Sequence, residues 1–203
     1  MHTTTSVPSH HPGHGPRRPG PFVVVSSSVR EDRVSPSIAK WVCAALVARD
    51  VDVDLMDLSD VELPDDALLQ PGGGPRSQVA DRIDAAAAFV FVTPEYNHSY
   101  PASLKRLIDW HYREWMFKPA TIVSYGAHGG HAAVEHLRGV LAELHVVATR
   151  RTVSLVAPWA NLDASGGYTA SDASGRALDG ALAELRWWSE VLGEARATRP
   201  IPA

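Results

Sequence analysis

Three short stretches of this sequence carry residues that could hold an anion and a flat polar ring. The first, "SSSVREDRVSPS", Ser26 to Ser37, supplies five serine hydroxyls and the guanidinium groups of Arg30 and Arg33. Its Ser35-Pro36 pair suits an N-cap followed by the first residue of a helix, which would aim that helix's free N–H groups back at the loop. A phosphate group calls for this combination. The helix end contributes about 0.3–1 kcal/mol, and each charge-assisted hydrogen bond roughly 1.5–3 kcal/mol. The second stretch, "TPEYNHSY", Thr93 to Tyr100, sets the ring of Tyr96 beside the amide of Asn97. The third, "SYGAHGGH", Ser124 to His131, has three glycines that let backbone N–H groups approach a flat ligand closely.

A phosphate at one edge, a heterocycle at the other and backbone donors around it describe a flavin mononucleotide (FMN) pocket. The chain has no Gly-x-x-x-x-Gly-Lys-Ser/Thr sequence, which excludes a nucleoside triphosphate P-loop. It has no Gly-x-Gly-x-x-Gly either, which disfavours a dinucleotide Rossmann site.

These stretches must be positioned by regular elements, and the hydrophobic pattern supplies them. Phe22 to Val25 is an apolar strand, and "IAKWVCAALVA" repeats apolar residues at helical spacing. "VDVDLMDL" alternates as a second strand, and "PGGGP" reads as a flexible connection. A short helix around residues 79–87 leads to a third strand, "AFVFVT". The helix that follows, "PASLKRLIDWHYREW", carries Leu104, Leu107, Ile108 and Trp115 on one stripe. "ATIVSYG" is a fourth strand, "HAAVEHLRGVLAELH" the clearest helix, and "TRRTVSLV" a fifth strand. A polar loop from Ala157 to Gly175 precedes a last helix. Strands alternating with helices call for an α/β fold, a five-stranded parallel sheet with helices on both faces. In such sheets ligands gather outside the carboxyl ends of the strands, where all three polar stretches fall.

The chain has 203 residues, 45% of them apolar, enough for one domain. That domain is expected over 21–197, between a disordered tail at 1–20 and a short tail at 198–203. Within the first tail His2, His10, His11 and His14 read as solvated rather than metal-binding. A net charge of -4 without a basic stripe argues against a nucleic-acid partner. No apolar run nears the roughly 18 residues needed to cross a membrane. The single cysteine, Cys43, fits a reducing cytoplasm and reads as a buried structural thiol.

The run "PEYNHSYPASLKRLIDW" closely resembles the signature of the NADPH-dependent FMN reductase family, flavodoxin-like proteins that reduce flavins, quinones, chromate or azo dyes. The resemblance extends from about Phe22 to Leu144, because "SSVREDRVSPSIAKWV" and "SYGAHGGHAAVEHLRGVL" are similar to the family's two other flavin loops. It implies a flavodoxin-like three-layer sandwich in which Ser28, Arg30, Ser35 and Ser37 surround the FMN phosphate. Pro94, Glu95, Tyr96, Asn97 and Ser99 would border the isoalloxazine ring, largely through consecutive backbone donors. Ser124, Tyr125, Gly126 and Gly129 would hold its pyrimidine edge. The family usually has glycine where this chain has Ser27, Asp32, Ser35, Ala102 and Ala127.

The implied activity takes hydride from NADH or NADPH onto flavin N5 and passes it to a flavin, a quinone or another electron-poor small molecule. FMN carries the redox chemistry, so no catalytic acid or base is assigned. His98 and His128 stand close enough in sequence to shape access or give a proton. The alternatives are a pathway-specific flavin reductase or tailoring enzyme and, in another class, a flavin-free interaction or regulatory protein on the same fold. The indoles of Trp110, Trp115, Trp187 and Trp188 exceed what one stripe can hide. Together with the resemblance they imply a homodimer or homotetramer.

Overall fold

The computed structural model describes residues 20–201, so the expectations for the histidines of the N-terminal tail lie outside the described residues. Among the described residues six strands form one parallel sheet: β1 (Phe22–Ser26), β2 (Val53–Asp57), β3 (Ala88–Pro94), β4 (Pro119–Gly126), β5 (Val147–Ala148) and β6 (Val153–Val156). Their spatial order is β2-β1-β3-β4-β5, with β6 also pairing β4. The expected fifth strand is thus two short pieces along one edge of β4, one against Pro119 and Ala120 and the other against Val123 to Gly126. The helices are α1 (Ser35–Val47), α2 (Ala80–Ala85), α3 (Ala102–Trp110), α4 (His131–Glu143) and α5 (Asp172–Thr198).

β1, β3 and most of β4 are buried on both faces, which is why they read as unbroken apolar runs. Val23, Val25, Phe89 and Phe91 face one core with Leu104, Leu107, Leu137 and Leu141 of α3 and α4. Val24, Val90, Val92 and Val123 face the other with Ile38 and Val42 of α1 and Leu178, Leu182 and Leu185 of α5. The edge strand β2 is held to α2 by Arg82, whose Nε and Nη2 donate to the two oxygens of Asp54 at 2.8 and 2.6 Å.

Several local expectations are corrected. Val34, not Ser35, is the N-cap of α1, with no side-chain cap, so Ser35 and Pro36 are its first two residues. α3 ends at Trp110, and Trp115 returns from the following turn to donate Nε1–H to Ile108 O at 3.3 Å, its ring 4.7 Å from Phe89. Trp110 and Trp115 are both buried and mark no interface, whereas Trp187 is 56% exposed. The Pro-Gly-Gly-Gly-Pro segment is pinned rather than loose: Gly74 N–H donates to Trp110 O at 2.9 Å. A side chain at Gly74 would collide with the Trp110 indole. The last helix starts at Asp172, with Ser171 capping Ser174 N–H, so the polar loop before it ends sooner than expected.

Candidate functional site

The loops after β1, β3 and β4 leave neighbouring strands at one end of the sheet. β1 and β3 are where the strand order reverses, so the loop from Ser27 to Val34 and the loop from Glu95 to Pro101 diverge and leave a crevice.

In the first loop the side chains are largely spoken for by the protein. Ser27 donates both its N–H and its Oγ to Val92 O, each at 3.0 Å, and Ser35 Oγ donates to the same carbonyl at 3.3 Å. These two serines, standing where the family usually has glycine, therefore turn down onto β3. Ser28 Oγ lies 2.6 Å from Tyr96 Oη, and the Arg30 guanidinium sits 3.5 Å above the Tyr96 ring. Ser37 Oγ donates to Gly166 O at 2.6 Å, tying α1 to the loop before α5. Arg33 pairs with Asp57 Oδ2 at 3.1 Å and Ser59 Oγ at 2.6 Å. Asp32 has φ of 50°, a left-handed conformation that explains why glycine is at home there.

What the first loop leaves open is its backbone. From Ser28 through Ser35 no N–H has an intramolecular acceptor among the described residues. Among the described residues two buried side-chain polar atoms lack a partner, Ser26 Oγ and Arg33 Nε, and both belong to this end of β1. Unpaired donors at the N-terminus of a 13-residue helix suit an anion, and the donor set fits the phosphate of FMN.

The middle loop is a tight turn. Tyr96 N–H donates to Ser99 O at 2.8 Å and Ser99 N–H to Tyr96 O at 3.1 Å, with Asn97 at φ 49° and His98 at φ 67°. Positive φ at both central residues makes a type I′ geometry, for which Asn is favoured first and glycine second. Glu95 N–H is also engaged, with Tyr125 O at 2.8 Å. Between Pro94 and Ser99 the expected row of consecutive donors reduces to two, the N–H groups of Asn97 and His98, and past the turn the N–H of Tyr100 is also open among the described residues. Pro94 is buried in the sheet, opposite Tyr125. Ser99 Oγ is bonded to His136 Nδ1 at 3.0 Å.

The Glu95 carboxylate has a role that the sequence did not reveal. α4 begins after Gly130, which offers no side-chain cap, and Glu95 Oε2 accepts from Ala132 N–H at 3.0 Å in its place. A carboxylate from the loop after β3 thus caps the helix after β4. It fixes the second loop to the third and favourably faces the positive helix end.

In the third loop Ser124 Oγ and Ser154 Oγ both donate to Gly129 O, at 2.7 and 2.9 Å. Gly129 and Gly130 have φ of 87° and 80°, and a Cβ on either would strike Ser154 or Ser124. Gly126 differs: a Cβ there would make only ordinary contacts, 3.6 Å from Glu95 Cβ. The protein's own packing does not require that glycine. Ala127 and His128 lie exposed, with N–H groups open among the described residues. The ring of Tyr125 points to the α1 side of the sheet. Burial pushes its phenol up to about 12, with the Ser35 hydroxyl acting the other way. Ser103, absent from the sequence reading, donates Oγ–H to Ser27 O at 2.6 Å and so braces the first loop from α3.

The larger surface hollows lie elsewhere. One of about 600 Å³ opens between Phe22, Asp50 and Arg186, and another of about 540 Å³ between Trp41, Tyr168 and Arg176. Both are lined by residues outside the three loops and hold neither of the orphaned atoms, Ser26 Oγ and Arg33 Nε, so the crevice at the strand ends is the better candidate on chemistry.

Residues 21–160 match the family model described as NADPH-dependent FMN reductase. The chain is 37% identical over 136 residues to NAD(P)H-dependent FMN reductase LOT6 of Saccharomyces cerevisiae, covering 58% of this chain and 71% of that protein. It is 32% identical over 163 residues to a 2-hydroxy-1,4-benzoquinone reductase of a Burkholderia species, covering 74% of this chain and 86% of that one. The fold is shared with FerB, a flavoenzyme NAD(P)H:(acceptor) oxidoreductase of Paracoccus denitrificans. That likeness has a TM-score of 0.65 at 24% identity over 84% of this chain and 98% of that one. An archaeal flavodoxin superposes with a TM-score of 0.53 at 12% identity, over 85% of this chain and 97% of that one. On its residues and its fold, the chain belongs to the NADPH-dependent FMN reductase family.

Proposed function

We propose that this chain is an NAD(P)H-dependent, FMN-containing oxidoreductase whose second substrate is a small quinone or a free flavin. Bound FMN supplies the redox chemistry, accepting a hydride equivalent from the nicotinamide and passing two electrons to the acceptor. The observation that carries this reading is the first loop, with its run of unpaired N–H groups and the orphaned Ser26 Oγ and Arg33 Nε at the head of α1.

The chain's own residues have assigned tasks. The N–H groups of Ser28 to Ser35 hold the phosphate, and Arg30 adds a positive charge. Ser28, Ser35 and Ser37 shape that loop through their protein partners rather than by reaching outward. Asn97 and His98 present N–H groups to the ring, and Pro94, Glu95, Tyr96 and Ser99 build the turn that does so. The N–H groups of Ala127 and His128 face negative charge that develops at the pyrimidine edge. Ser124, Tyr125 and Gly129 fix that loop, and Gly126 leaves room for close approach.

The names of the relatives support quinone or flavin as acceptor. We also propose a cytoplasmic homodimer. Trp187 and Val191, exposed one turn apart on α5, support a subunit contact, which light scattering would check. Among the described residues no helix is long and apolar enough to cross a membrane.

Equilibrium titration of the purified protein with FMN, read by quenching of flavin fluorescence, tests the assignment. Saturable one-to-one binding that weakens in competition with inorganic phosphate is expected. A protein that leaves FMN fluorescence unchanged has no such site.

A further inference from the structure

The two histidines near the candidate site are held very differently. His128 makes no hydrogen bond, ion pair or ring contact among the described residues. His98 has neighbours on two elements. Its Nδ1 lies 3.8 Å from Glu95 Oε1, and its ring stands edge-on to His136 of α4 at 6.4 Å between centroids. Glu95 is itself immobilised, because its other oxygen caps α4 at Ala132 N–H. His136 is fixed by Ser99 Oγ at 3.0 Å. Glu95 and His136 are the ionisable groups facing His98 from the turn and from the helix packed against it.

The backbone makes this placement costly. His98 occupies the second central position of a type I′ turn at φ 67°, where glycine is the default and an imidazole-bearing residue is strained. The chain nonetheless carries a side chain there, 85% exposed, on a residue whose own N–H is open among the described residues. Nδ1 lies on the carboxylate side, and Nε2 has no hydrogen-bond partner among the described residues. Among the described residues no group of three or more His, Cys, Asp or Glu side chains is arranged to hold a metal, so the cluster is not read as a cation site.

We infer that His98 is the proton donor to the acceptor oxygen, with Glu95 as its positioning residue. The inference rests on the reading of the site as a quinone-reducing FMN site. Reduction of a quinone to a hydroquinone requires two electrons and two protons. The nicotinamide supplies the electron pair and one proton as a hydride equivalent. The second proton comes from the His98 imidazolium: its N–H bond breaks, an O–H bond forms on the quinone oxygen as the C=O π bond breaks, and the imidazole is left neutral. The exposed ring then recovers its proton from water, so that NAD(P)H, one proton and a quinone give NAD(P)⁺ and a hydroquinone. Histidine is the side chain most often used as a general acid in enzyme sites.

The test compares the FMN-loaded wild-type protein with His98→Asn. Asparagine tolerates the left-handed conformation, keeps the backbone N–H and cannot act as an acid. With saturating NADPH, 1,4-benzoquinone turnover should fall about tenfold or more. Ferricyanide takes electrons without protons, so the readout is the ratio of benzoquinone to ferricyanide turnover, which should fall about tenfold whatever the variant does to flavin binding. A solvent deuterium isotope effect should accompany benzoquinone turnover in the wild type. A binding readout independent of turnover is the charge-transfer absorbance of 4-chlorophenolate on the oxidised holoprotein, whose affinity should drop about threefold or more in the variant. Equal losses with both acceptors, or unchanged benzoquinone turnover, would overturn the role of His98 while leaving the site reading intact. A wild-type protein that binds FMN but is not reduced by NADPH would overturn both.

Discussion

The carboxylate of Glu95 offers the sharpest physical prediction, because it joins two loops of the site through one hydrogen bond. Glu95→Ala removes the acceptor of Ala132 N–H and leaves the first turn of α4 without a cap. Loss of a capping side chain costs about 0.5–2 kcal/mol. The interaction of a carboxylate with the positive end of a 13-residue helix adds about 0.3–1 kcal/mol. With the side chain only 24% exposed, screening is partial, and a total near 2 kcal/mol is expected. For a domain of this size that corresponds to roughly 4–8 °C in Tm. Glu95→Gln keeps an acceptor oxygen but loses the charge, so it should cost about 0.5–1 kcal/mol. Urea denaturation of the flavin-free protein at pH 7, in low and in 1 M salt, separates the two parts, since only the charge part shrinks with salt. If Glu95→Ala unfolds within about 0.3 kcal/mol of wild type, or if both variants lose the same amount, the capping argument is wrong.

Three further outcomes follow from the same geometry. Asp32→Asn preserves a residue that tolerates φ near 50° while removing a carboxylate from the anion loop; one exposed charge ~5–8 Å away contributes ~0.5–0.8 kcal/mol, so FMN should bind about two- to fourfold more tightly by fluorescence titration. Gly126→Ala should fold with near wild-type stability yet lose FMN affinity, whereas Gly130→Ala, with φ of 80° and a Cβ 2.9 Å from Ser124 Cβ, should lose about 2 kcal/mol or more by chemical denaturation. Lys118 is buried with Nζ donating to Ile83 O at 2.7 Å and Asp84 O at 2.6 Å, and burial pulls its ammonium down to about 8. The unfolded chain then binds more protons from about pH 8 to 10.5, so this group's contribution to stability rises with pH across that window. The Cys43 thiol, which is half-buried rather than buried as its sequence suggested, and the buried Tyr125 phenol are pushed up to about 11 and about 12 and act in the opposite sense above pH 9 and 10 respectively. The informative quantity is therefore the wild-type minus Lys118→Met difference, which should grow with pH from 8 and stop growing above 10.5.

Much of the architecture was legible because buried parallel strands write themselves as apolar runs: Phe22 to Val25, Phe89 to Val92 and Ile122 to Val123 needed no partner to be recognised. Amphipathic α4 and α5 were equally plain. What the sequence hid depended on contacts between distant segments. Trp115 looked like a continuation of α3 because a residue seven places after Ile108 keeps helical phase, yet its indole reaches that same stripe from a turn. The glycines at 72–74 suggested mobility, but Gly74 is small because Trp110 packs on it. The three loops of the candidate site could be picked out by composition. Their division of labour could not, because it rests on which donors the fold has already used. Tyr96 N–H is consumed by Ser99 and Ser27 Oγ by Val92, while the N–H groups of Ser28 to Ser35 are left open. Glu95 lay within the motif from the start, and only the proximity of Ala132, 37 residues on, reveals it as a helix cap.

The most direct test of the central claim is an anaerobic absorbance experiment on the FMN-loaded protein, with NADPH added in stoichiometric steps and 1,4-benzoquinone added last. The visible absorbance of the oxidised flavin should bleach with one equivalent of NADPH and return on adding the quinone. A bound flavin that stays oxidised in excess NADPH and excess NADH would contradict the claim that this chain is an FMN-dependent reductase.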